Sequence, residues 1–292
     1  MVLRRILLQP GCRAARPRNG TATTVADITG DAVRDFHRRW YGPEDSTLVI
    51  AGDFAEDQLG VLHDTFGTWK QPRRDDTVHE VPRPAARRAV MVHRPGAVQA
   101  DVRLGQFSVD RRDARWADLQ VATYALGGAF LSRLNRVPRE EKGFTYGVHL
   151  GNSPFREGGF TSTSGSFRNE VVAEAIRLTP GLLDVSGQPL TADEVTSAAT
   201  YLAGVGPLDY ATSAGICHGV LNLLAADLTT DYIDSVRAAY ALVTPESATT
   251  AATELLDPHS MSLVVVGDAD LLAAPLIADG WDVEVTRPED WV

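Results

Sequence analysis

The chain carries one structural unit twice, and this repeat constrains the fold more than any other feature of the sequence. The first copy, Thr29 to Asp53, reads TGDAVRDFHRRWYGPEDSTLVIAGD. The second copy, Thr244 to Asp268, reads TPESATTAATELLDPHSMSLVVVGD and aligns to the first without gaps, so that Pro43 matches Pro258. Any helix, proline and strand in succession produce some likeness, but ungapped agreement over 25 residues favours a duplicated domain.

The spacing of the two copies predicts that the first domain lacks most of its chain. The second copy begins about 155 residues after its domain opens near Ala89, whereas only 28 residues precede Thr29, a difference of roughly 125 residues. Between the two parts, Lys70 to Arg88 contains three prolines and many charges, which is typical of a linker. We therefore expect a remnant of a first domain over residues 1–75, a linker over 76–88 and a complete second domain over 89–292.

Hydrophobic periodicity and turn residues indicate a mixture of helices and strands. Thr29 to Tyr41 has a helical pattern with Thr29 as its N-cap, Ser46 to Asp53 is typical of a strand, and Ala55 to Trp69 is helical again. The second part predicts strands on either side of Pro95-Gly96, an antiparallel pair formed by GVHLGNSP and GGFTSTSGSF, and helices in EVVAEAIRLTPGLLDV and TADEVTSAATYLAGV. No βαβ rhythm is present, so we predict the α+β class, with an antiparallel sheet and helices packed on one face.

Composition limits the partners and the location of the protein. The 292 residues carry 28 basic and 38 acidic side chains, a formal charge of −10, which disfavours nucleic acid or an anionic membrane as a partner. No apolar run approaches the length of a membrane span. Cys12 and Cys217 form no disulfide or metal pattern, so we expect reduced thiols and a cytoplasmic protein. The arginines before Asp27 resemble those of an organellar transit peptide, but the whole chain favours arginine over lysine and contains only two lysines, Lys70 and Lys142.

The sequence lacks the common catalytic and metal-binding motifs. Seven histidines are scattered singly, with neither H-x-x-E-H nor H-E-x-x-H spacing, and a metal site needs ligands that converge. No G-x-S-x-G elbow, P-loop or G-x-G-x-x-G loop is present, which removes the common hydrolase, phosphate-binding and dinucleotide-binding sites. We expect no catalytic residue, no metal ligand and no cofactor in this chain.

One charged stretch, REEKGFTYG from Arg139 to Gly147, has two interpretations. In the first it is a helix end, with solvated charges, Gly143 as a left-handed cap and a strand that begins at Phe144. In the second, the turn brings the guanidinium of Arg139 and the phenol of Tyr146 close together, where they could hold a peptide carbonyl or carboxylate. The residue pattern alone leaves both interpretations open.

A longer segment around this stretch resembles a known family. SRLNRVPREEKGFTYGV, which follows a helical region containing Gly127 and Gly128, is similar to the second-domain signature of the pitrilysin/insulinase family of zinc metallopeptidases. That family includes paired bacterial subunits and the mitochondrial processing peptidases. ITGDAVRDFHRRWYGPEDSTLVIAGDF, with the FGTW that follows, is similar to the end of the family's first domain. The resemblance covers roughly Ala15 to Asp268, whereas the residues before it resemble nothing in the family.

The resemblance implies a duplicated α+β domain whose two lobes close around a substrate. In the family, the first lobe binds zinc through H-x-x-E-H and a downstream Glu, and the second lobe holds the substrate backbone with an Arg and a Tyr, which match Arg139 and Tyr146. Because the zinc motif is absent here, the resemblance implies a substrate-binding lobe that is inactive alone. It would act on a peptide substrate in a heterodimer with a zinc-bearing homologous subunit. The alternative is a structural subunit similar to the core proteins of respiratory cytochrome-c reductase, or an inactive truncated remnant.

The hydroxyl-rich segment Thr161 to Ser166 is also expected near this site. Small side chains there would let a peptide backbone approach the inner face of the second lobe. The alternative is an exposed sheet face on which Ser164 lies away from Tyr146.

Overall fold

The computed structural model describes residues 1–44, 46–55, 58–70, 81–83 and 87–291 and contains two compact units. The larger one, the sheet unit, contains Met1–Pro17, His79–Val205 and Asp231–Val292. The smaller one, the small unit, contains Arg18–Val78 and Gly206–Thr230. Most of the predicted linker over residues 76–88 lies outside the described residues.

This division differs from the boundaries inferred from the sequence at two places. Met1–Pro17, which the sequence assigned to the first-domain remnant, packs with the sheet unit because its apolar side chains are buried there. Gly206–Thr230, which the sequence assigned to the second domain, groups with the small unit, where the Cys217 thiol lies 3.7 Å from the carbonyl oxygen of Val49. Both segments are separated in sequence from the unit that they join, so local patterns could not assign them.

The sheet unit is built on a mixed sheet. Among the described residues its strands are β1 (Ala89–His93), β2 (Gln99–Ser108), β3 (Val148–Pro154), β4 (Gly159–Arg168), β5 (Ser262–Gly267) and β6 (Val283–Thr286), in the spatial order β3-β4-β2-β5-β1-β6. The predicted α+β class and the antiparallel β3–β4 pair are confirmed. The antiparallel prediction holds also for β2 with β4 and β5, but β1 runs parallel to β5 and β6. A helix joins β5 to β6, and a strand that follows such a crossover runs parallel to the one before it.

Most helices of the sheet unit cover one face of this sheet, and helices account for most of the regular structure of the small unit. In chain order they are α1 (Val2–Leu7), α2 (Ala22–Ala26), α3 (Gly30–Trp40), α4 (Gln58–Phe66), α5 (Trp116–Thr123), α6 (Arg133–Asn135), α7 (Val172–Leu183), α8 (Ala192–Val205), α9 (Ser213–Ala225), α10 (Tyr232–Leu242), α11 (Pro245–Leu255) and α12 (Ala269–Ala278). Short 3₁₀ helices are Arg13–Ala15, Asn169–Val171, Gly206–Tyr210 and Pro288–Trp291, and π-helices are Tyr124–Gly128 and Arg136–Glu141. Within the described part of the chain, no helix combines the length and apolar character needed to cross a bilayer.

The buried core of the sheet unit lies between the sheet and helices α5, α7, α8, α11 and α12. Along β2, Ala100, Val102 and Leu104 are buried against these helices, while Asp101 and Arg103 are exposed. This alternation follows from the two-residue period of a strand. The sheet therefore has one face buried under helices and a second, the open face, on which Asp101 and Arg103 lie.

The N-terminal segment covers the apolar part of the open face. Leu3 and Ile6 of α1 form a buried cluster with Val90, Val92 and Val264. These three valines belong to the adjacent strands β1 and β5. The residues before Ala15 resembled nothing in the family, yet here they remove apolar surface of the sheet from water, which stabilises the unit.

The two copies of the repeat adopt different structures after their helices. Thr29 caps α3 by accepting a hydrogen bond from the N–H of Ala32 at 3.1 Å, and Thr244 caps α11 through the N–H of Ser247 at 3.1 Å. The predicted first-copy helix is confirmed. In the second copy the apolar run forms β5, between β2 and β1. In the first copy the strand prediction for Ser46 to Asp53 is wrong, because no strand among the described residues pairs with the backbone groups of this apolar run.

Apolar side chains of the first copy remain exposed. Leu48 and Ile50 are 60% and 43% exposed, whereas the matching Leu263 and Val265 of β5 are 0% exposed. Phe36, on α3, is 55% exposed. The described residues of the small unit therefore leave a substantial apolar surface uncovered.

We expect amide hydrogen exchange to distinguish the two copies in the isolated monomer. Amides of Leu263 to Val265 should exchange at least about 100-fold more slowly than those of Leu48 to Ile50, because β5 pairs with a strand on each side. Mass spectrometry of peptides from both segments measures this difference within one sample. Equal protection of the two segments would contradict it.

Candidate functional site

A cavity of about 1060 Å³ opens on the polar part of the open face. Arg139 and Tyr146 both line it, together with Arg103 of β2 and with Ser164 and Ser166 of β4. The two residues singled out by the sequence are thus brought to one cavity by the turn between the Arg136–Glu141 helix and β3.

Backbone hydrogen bonds fix the turn that carries these two residues. The π-helix Arg136–Glu141 is followed by Gly143, whose φ of 62° lies in the left-handed region that favours glycine. Gly143 N–H donates to the carbonyl of Arg139 at 3.1 Å, and Phe144 N–H donates to the carbonyl of Pro138 at 2.8 Å. The left-handed cap at Gly143 that the helix-end interpretation predicts is confirmed, whereas Arg139, at 25% side-chain exposure, is not the solvated charge of that interpretation. A cap at Gly143 is compatible with a binding site, because the turn that it starts is the segment that carries Tyr146.

Thr145 ties the turn to β4. Its hydroxyl donates to the carbonyl of Ser166 at 2.7 Å and accepts from the N–H of Gly147 at 3.2 Å. Because these bonds hold the chain in a turn, β3 begins at Val148 and not at Phe144 as predicted. Tyr146 lies in this turn and is 96% exposed, so its hydroxyl is accessible to a ligand.

The side chain of Arg139 is held from two sides. Its guanidinium carbon lies 3.8 Å from the centroid of the Phe130 ring, and its Nη1 atom lies 3.2 Å from Oε1 of Glu140. The Arg139 side chain is 25% exposed. The cation–π contact and the ion pair restrict its rotamers, so the planar guanidinium is presented to the cavity in a defined orientation.

Ser164 lies on the same side as the tyrosine. Ser164 and Ser166 line the cavity, whereas Thr161 and Thr163 are buried on the opposite face of β4. The expectation that the hydroxyl-rich segment lies near the site is confirmed for Ser164 and Ser166 and is wrong for Thr161 and Thr163. The alternative that Ser164 lies away from Tyr146 is wrong. Two-residue alternation along the strand accounts for both positions.

A buried ion pair fixes the segment before the turn, and it was not predicted from the sequence. Arg133 of α6 is 5% exposed and donates to both carboxylate oxygens of Glu194 at 2.8 and 2.9 Å. It also donates to the carbonyls of Gln188 and Pro189 at 2.7 and 2.9 Å. One guanidinium therefore joins α6 to the start of α8 and to the loop before it. The available sequence signal was the Thr191-x-x-Glu194 capping motif facing an arginine in an apolar region.

Arg133 also determines the charge state of Glu194. Its hydrogen bonds lower the pKa of this carboxyl from 4.5 to about 2, although partial burial acts in the opposite direction. The backbone N–H of Thr191 adds to the lowering with a hydrogen bond of 2.9 Å. Glu194 is therefore ionised at neutral pH, and the pair carries both of its charges.

Two further contacts join the helical region to β3. The Asn135 amide donates to the carbonyl of Ala129 at 3.1 Å and accepts from the N–H of Val148 at 2.9 Å. A Cβ atom added to Gly127 would come within 2.4 Å of the Cβ of Leu150. The glycine pair in this helical region thus includes a point of close backbone approach to β3.

One group of described residues has the spacing of metal ligands. His93, Asp268 and Asp270 each offer an atom within 4.8 Å of the others. However, Nδ1 of His93 accepts the N–H of Ala269 at 2.9 Å, and the Asp268 carboxylate accepts the N–H groups of Gly96 and Asp270 at 2.8 and 3.1 Å. The group lies at the N-terminus of α12, whose positive end disfavours a cation. These residues fit a helix cap and do not fit the zinc site that the family resemblance implies.

Comparison with known proteins relates the chain to peptidases. A family model described as the peptidase M16 inactive domain matches residues 27–202. An uncharacterized zinc protease of Streptomyces coelicolor is 29% identical over 261 residues, which cover 86% of this chain and 56% of that protein. An uncharacterized zinc protease of Mycobacterium tuberculosis is 31% identical over 177 residues, which cover 58% of this chain and 39% of that protein. The chain thus spans about half the length of these curated relatives.

Solved structures share the fold. The crystal structure of a peptidase M16 inactive domain from Pseudomonas fluorescens matches with a TM-score of 0.77 at 24% identity, covering 91% of this chain and 64% of that one. A chain of complex III2 from Candida albicans matches with a TM-score of 0.73 at 12% identity, covering 91% and 65%. These likenesses confirm the predicted peptidase-like α+β fold.

We expect Glu194→Gln to destabilise the sheet unit by about 3 kcal/mol, because it leaves the buried charge of Arg133 without its counterion. Urea unfolding measures the loss. The lowered pKa gives the pH dependence: Glu194 stabilises the fold above pH 4.5, and this contribution is lost as the pH falls toward about 2. The difference in unfolding free energy between the wild type and Glu194→Gln should therefore shrink as the pH falls from 4.5 toward about 2.

The matched control is Glu174→Gln, which removes an exposed ion pair of 2.8 Å with Lys142. Because exposed pairs contribute little, its effect should stay below about 1 kcal/mol. Similar losses in the two variants, or a difference that does not change with pH, would contradict the role assigned to the buried pair.

We also expect the purified chain to hold no stoichiometric zinc and to show no chelator-sensitive peptidase activity. The sequence has no convergent ligand motif, and the ligand-like group at His93 is used as a helix cap. Elemental analysis after dialysis measures the metal. One tightly bound zinc ion per chain, lost in His93→Ala, would overturn the cap interpretation.

Proposed function

This chain belongs to the peptidase M16 family, and on that premise we propose that it holds peptide substrates for a zinc-bearing homologue. The observation that carries the proposal is the position of Arg139 and Tyr146 on one cavity of the open face. Arg139 is oriented by Phe130 and Glu140, and Tyr146 is exposed. The held arginine is a basis for binding, because little side-chain freedom has to be lost there when a ligand is bound.

The chemistry of the two side chains suits a peptide backbone. The guanidinium can donate two parallel hydrogen bonds to a carboxylate or two converging ones to a carbonyl oxygen, and the phenol can donate one more. During peptide hydrolysis negative charge develops on the carbonyl oxygen, so donors directed there stabilise the transition state more than the substrate. In this proposal Arg139 and Tyr146 bind and orient the backbone, and no proton transfer is assigned to this chain.

The hydrolytic step requires groups that this sequence lacks. A catalytic zinc polarises the carbonyl and lowers the pKa of a bound water. Since the residues here do not form its ligand set, we propose a complex with a zinc-bearing polypeptide of the same family, and we propose that this chain alone is inactive. The zinc protease names of the bacterial relatives support the peptidase reaction, and the description of the matched domain as inactive supports the division of roles.

A structural role is the second candidate. One structural neighbour is a chain of complex III2, whose fold matches 91% of this chain. This likeness supports a subunit that assembles without binding substrate. We favour the substrate-holding role because Arg139 and Tyr146 are both present and line the same cavity. A cytoplasmic location stays a prediction from composition.

We expect substitutions at both residues to slow peptide cleavage by a complex reconstituted with a zinc-bearing homologue. Loss of one hydrogen bond to a charged or developing oxyanion costs about 1 to 3 kcal/mol, which is about 5-fold to 150-fold in rate. Arg139→Lys should lose nearly as much as Arg139→Ala, because an ammonium group lacks the planar fork. Tyr146→Phe isolates the hydroxyl. If both side chains bind one backbone, the double mutant loses less than the sum of the single losses.

Arg136→Ala is the matched control. Arg136 lies in the same π-helix, pairs with the exposed Glu141 at 3.6 Å and does not line the cavity. Cleavage by this variant should stay at the wild-type rate. Unchanged cleavage in both single mutants, with assembly of the complex verified by size-exclusion chromatography, would refute the substrate-holding role and favour the structural one.

A further inference from the structure

The cavity contains two arginines that its own side chains do not neutralise. Besides Arg139, it is lined by Arg103 of β2 and Arg168 of β4, and both are exposed. Among the described residues, neither guanidinium forms an ion pair or a hydrogen bond. Arginines without partners on the wall of a cavity are available to bind an anionic ligand.

The acidic side chains of the cavity are already engaged. Glu140 pairs with Arg139 at 3.2 Å, and Asp101 accepts a hydrogen bond from the hydroxyl of Ser166. Three arginines face these two carboxylates, so the cavity has a positive balance on a chain whose formal charge is −10. An acidic ligand is repelled by most of this protein and attracted here, which favours binding at this one place.

The register of the sheet separates the two free arginines along the cavity. In the β2–β4 pairing, Arg103 lies opposite Ser164, and Arg168 lies four residues further along β4. At about 3.3 Å per residue, four residues span about 13 Å. Ser166 of β4 lies between them on this face, opposite Asp101 of β2, to which its hydroxyl donates a hydrogen bond. The small side chains of Ser164 and Ser166 leave room for an extended backbone.

We propose that the cavity selects extended peptides with acidic side chains about four residues apart, and that Arg103 and Arg168 are its specificity-determining residues. This inference rests on the proposed peptide-holding function and adds the substrate class to it. An even separation places both acidic side chains on the same face of an extended peptide. Charge-assisted hydrogen bonds from each guanidinium to a carboxylate then distinguish an acidic peptide from its neutral counterpart.

Fluorescence anisotropy with the full chain tests the proposal. Three labelled peptides, identical except for Glu, Gln or Lys at two positions four residues apart, are titrated at low and at high salt. The Glu peptide should bind about 10-fold more tightly than the Gln peptide at low salt, and salt should reduce this difference. Arg103→Gln and Arg168→Gln should each remove most of it. Arg237→Gln, an exposed arginine of α10 outside the cavity, should leave it unchanged.

The outcomes separate this inference from the proposed function. Equal binding of the Glu and Gln peptides, with weaker binding of both by Arg139→Ala, would reject the acidic preference and leave the peptide-holding role intact. Absence of binding to all three peptides would reject both. Preference for the Lys peptide would reverse the proposed charge selection. Displacement of the Glu peptide by a single-stranded oligonucleotide at lower concentration would show that the ligand is nucleic acid and not a peptide.

Discussion

The two-residue alternation of side chains along β2 and β4 is the constraint on which the rest of the sheet unit depends. It places Val102, Leu104 and Thr163 under the helices and leaves Arg103 and Ser164 on the open face. A shift of one residue in either strand would exchange these two sets, burying charge and exposing the core. The register of β2 and β4 therefore specifies the core and the cavity together, and a shift of either strand would change both.

The candidate site combines exposed side chains with a buried support. Tyr146 is almost fully exposed, yet the turn that carries it is held by Thr145 and by the cap at Gly143. In the segment that precedes that turn, Arg133 is buried and makes four hydrogen bonds to an acidic side chain and two carbonyls. A side chain that contacts a ligand has to be exposed before the ligand binds. Its position therefore depends on neighbouring residues that do not contact the ligand.

Local features of this chain could be predicted from the sequence, and long-range ones could not. The Thr29 cap, the left-handed Gly143 and the β3–β4 pair each depend on residues close in sequence, and the structure has all three. The family motif also directed attention to Arg139 and Tyr146, which share a cavity. The missing strand at Ser46–Asp53, the packing of α1 and the parallel pairs of β1 depend on distant partners. No local pattern encodes those partners. The capping motif at Thr191 and Glu194 is local, but its pairing with Arg133, 61 residues away, is not.

The order of strands has a consequence for synthesis of the protein. β1 and β2 follow each other in the sequence, but β5 lies between them in the sheet, with Val92 paired to Val266 and Val102 paired to Val265. The ribosome therefore makes both strands long before the one that joins them. Until β5 is synthesised, one edge of β1 and one edge of β2 remain unpaired. Unpaired apolar edges are prone to non-native pairing and aggregation. Correct folding of the sheet unit is thus a late event that follows translation of the second repeat.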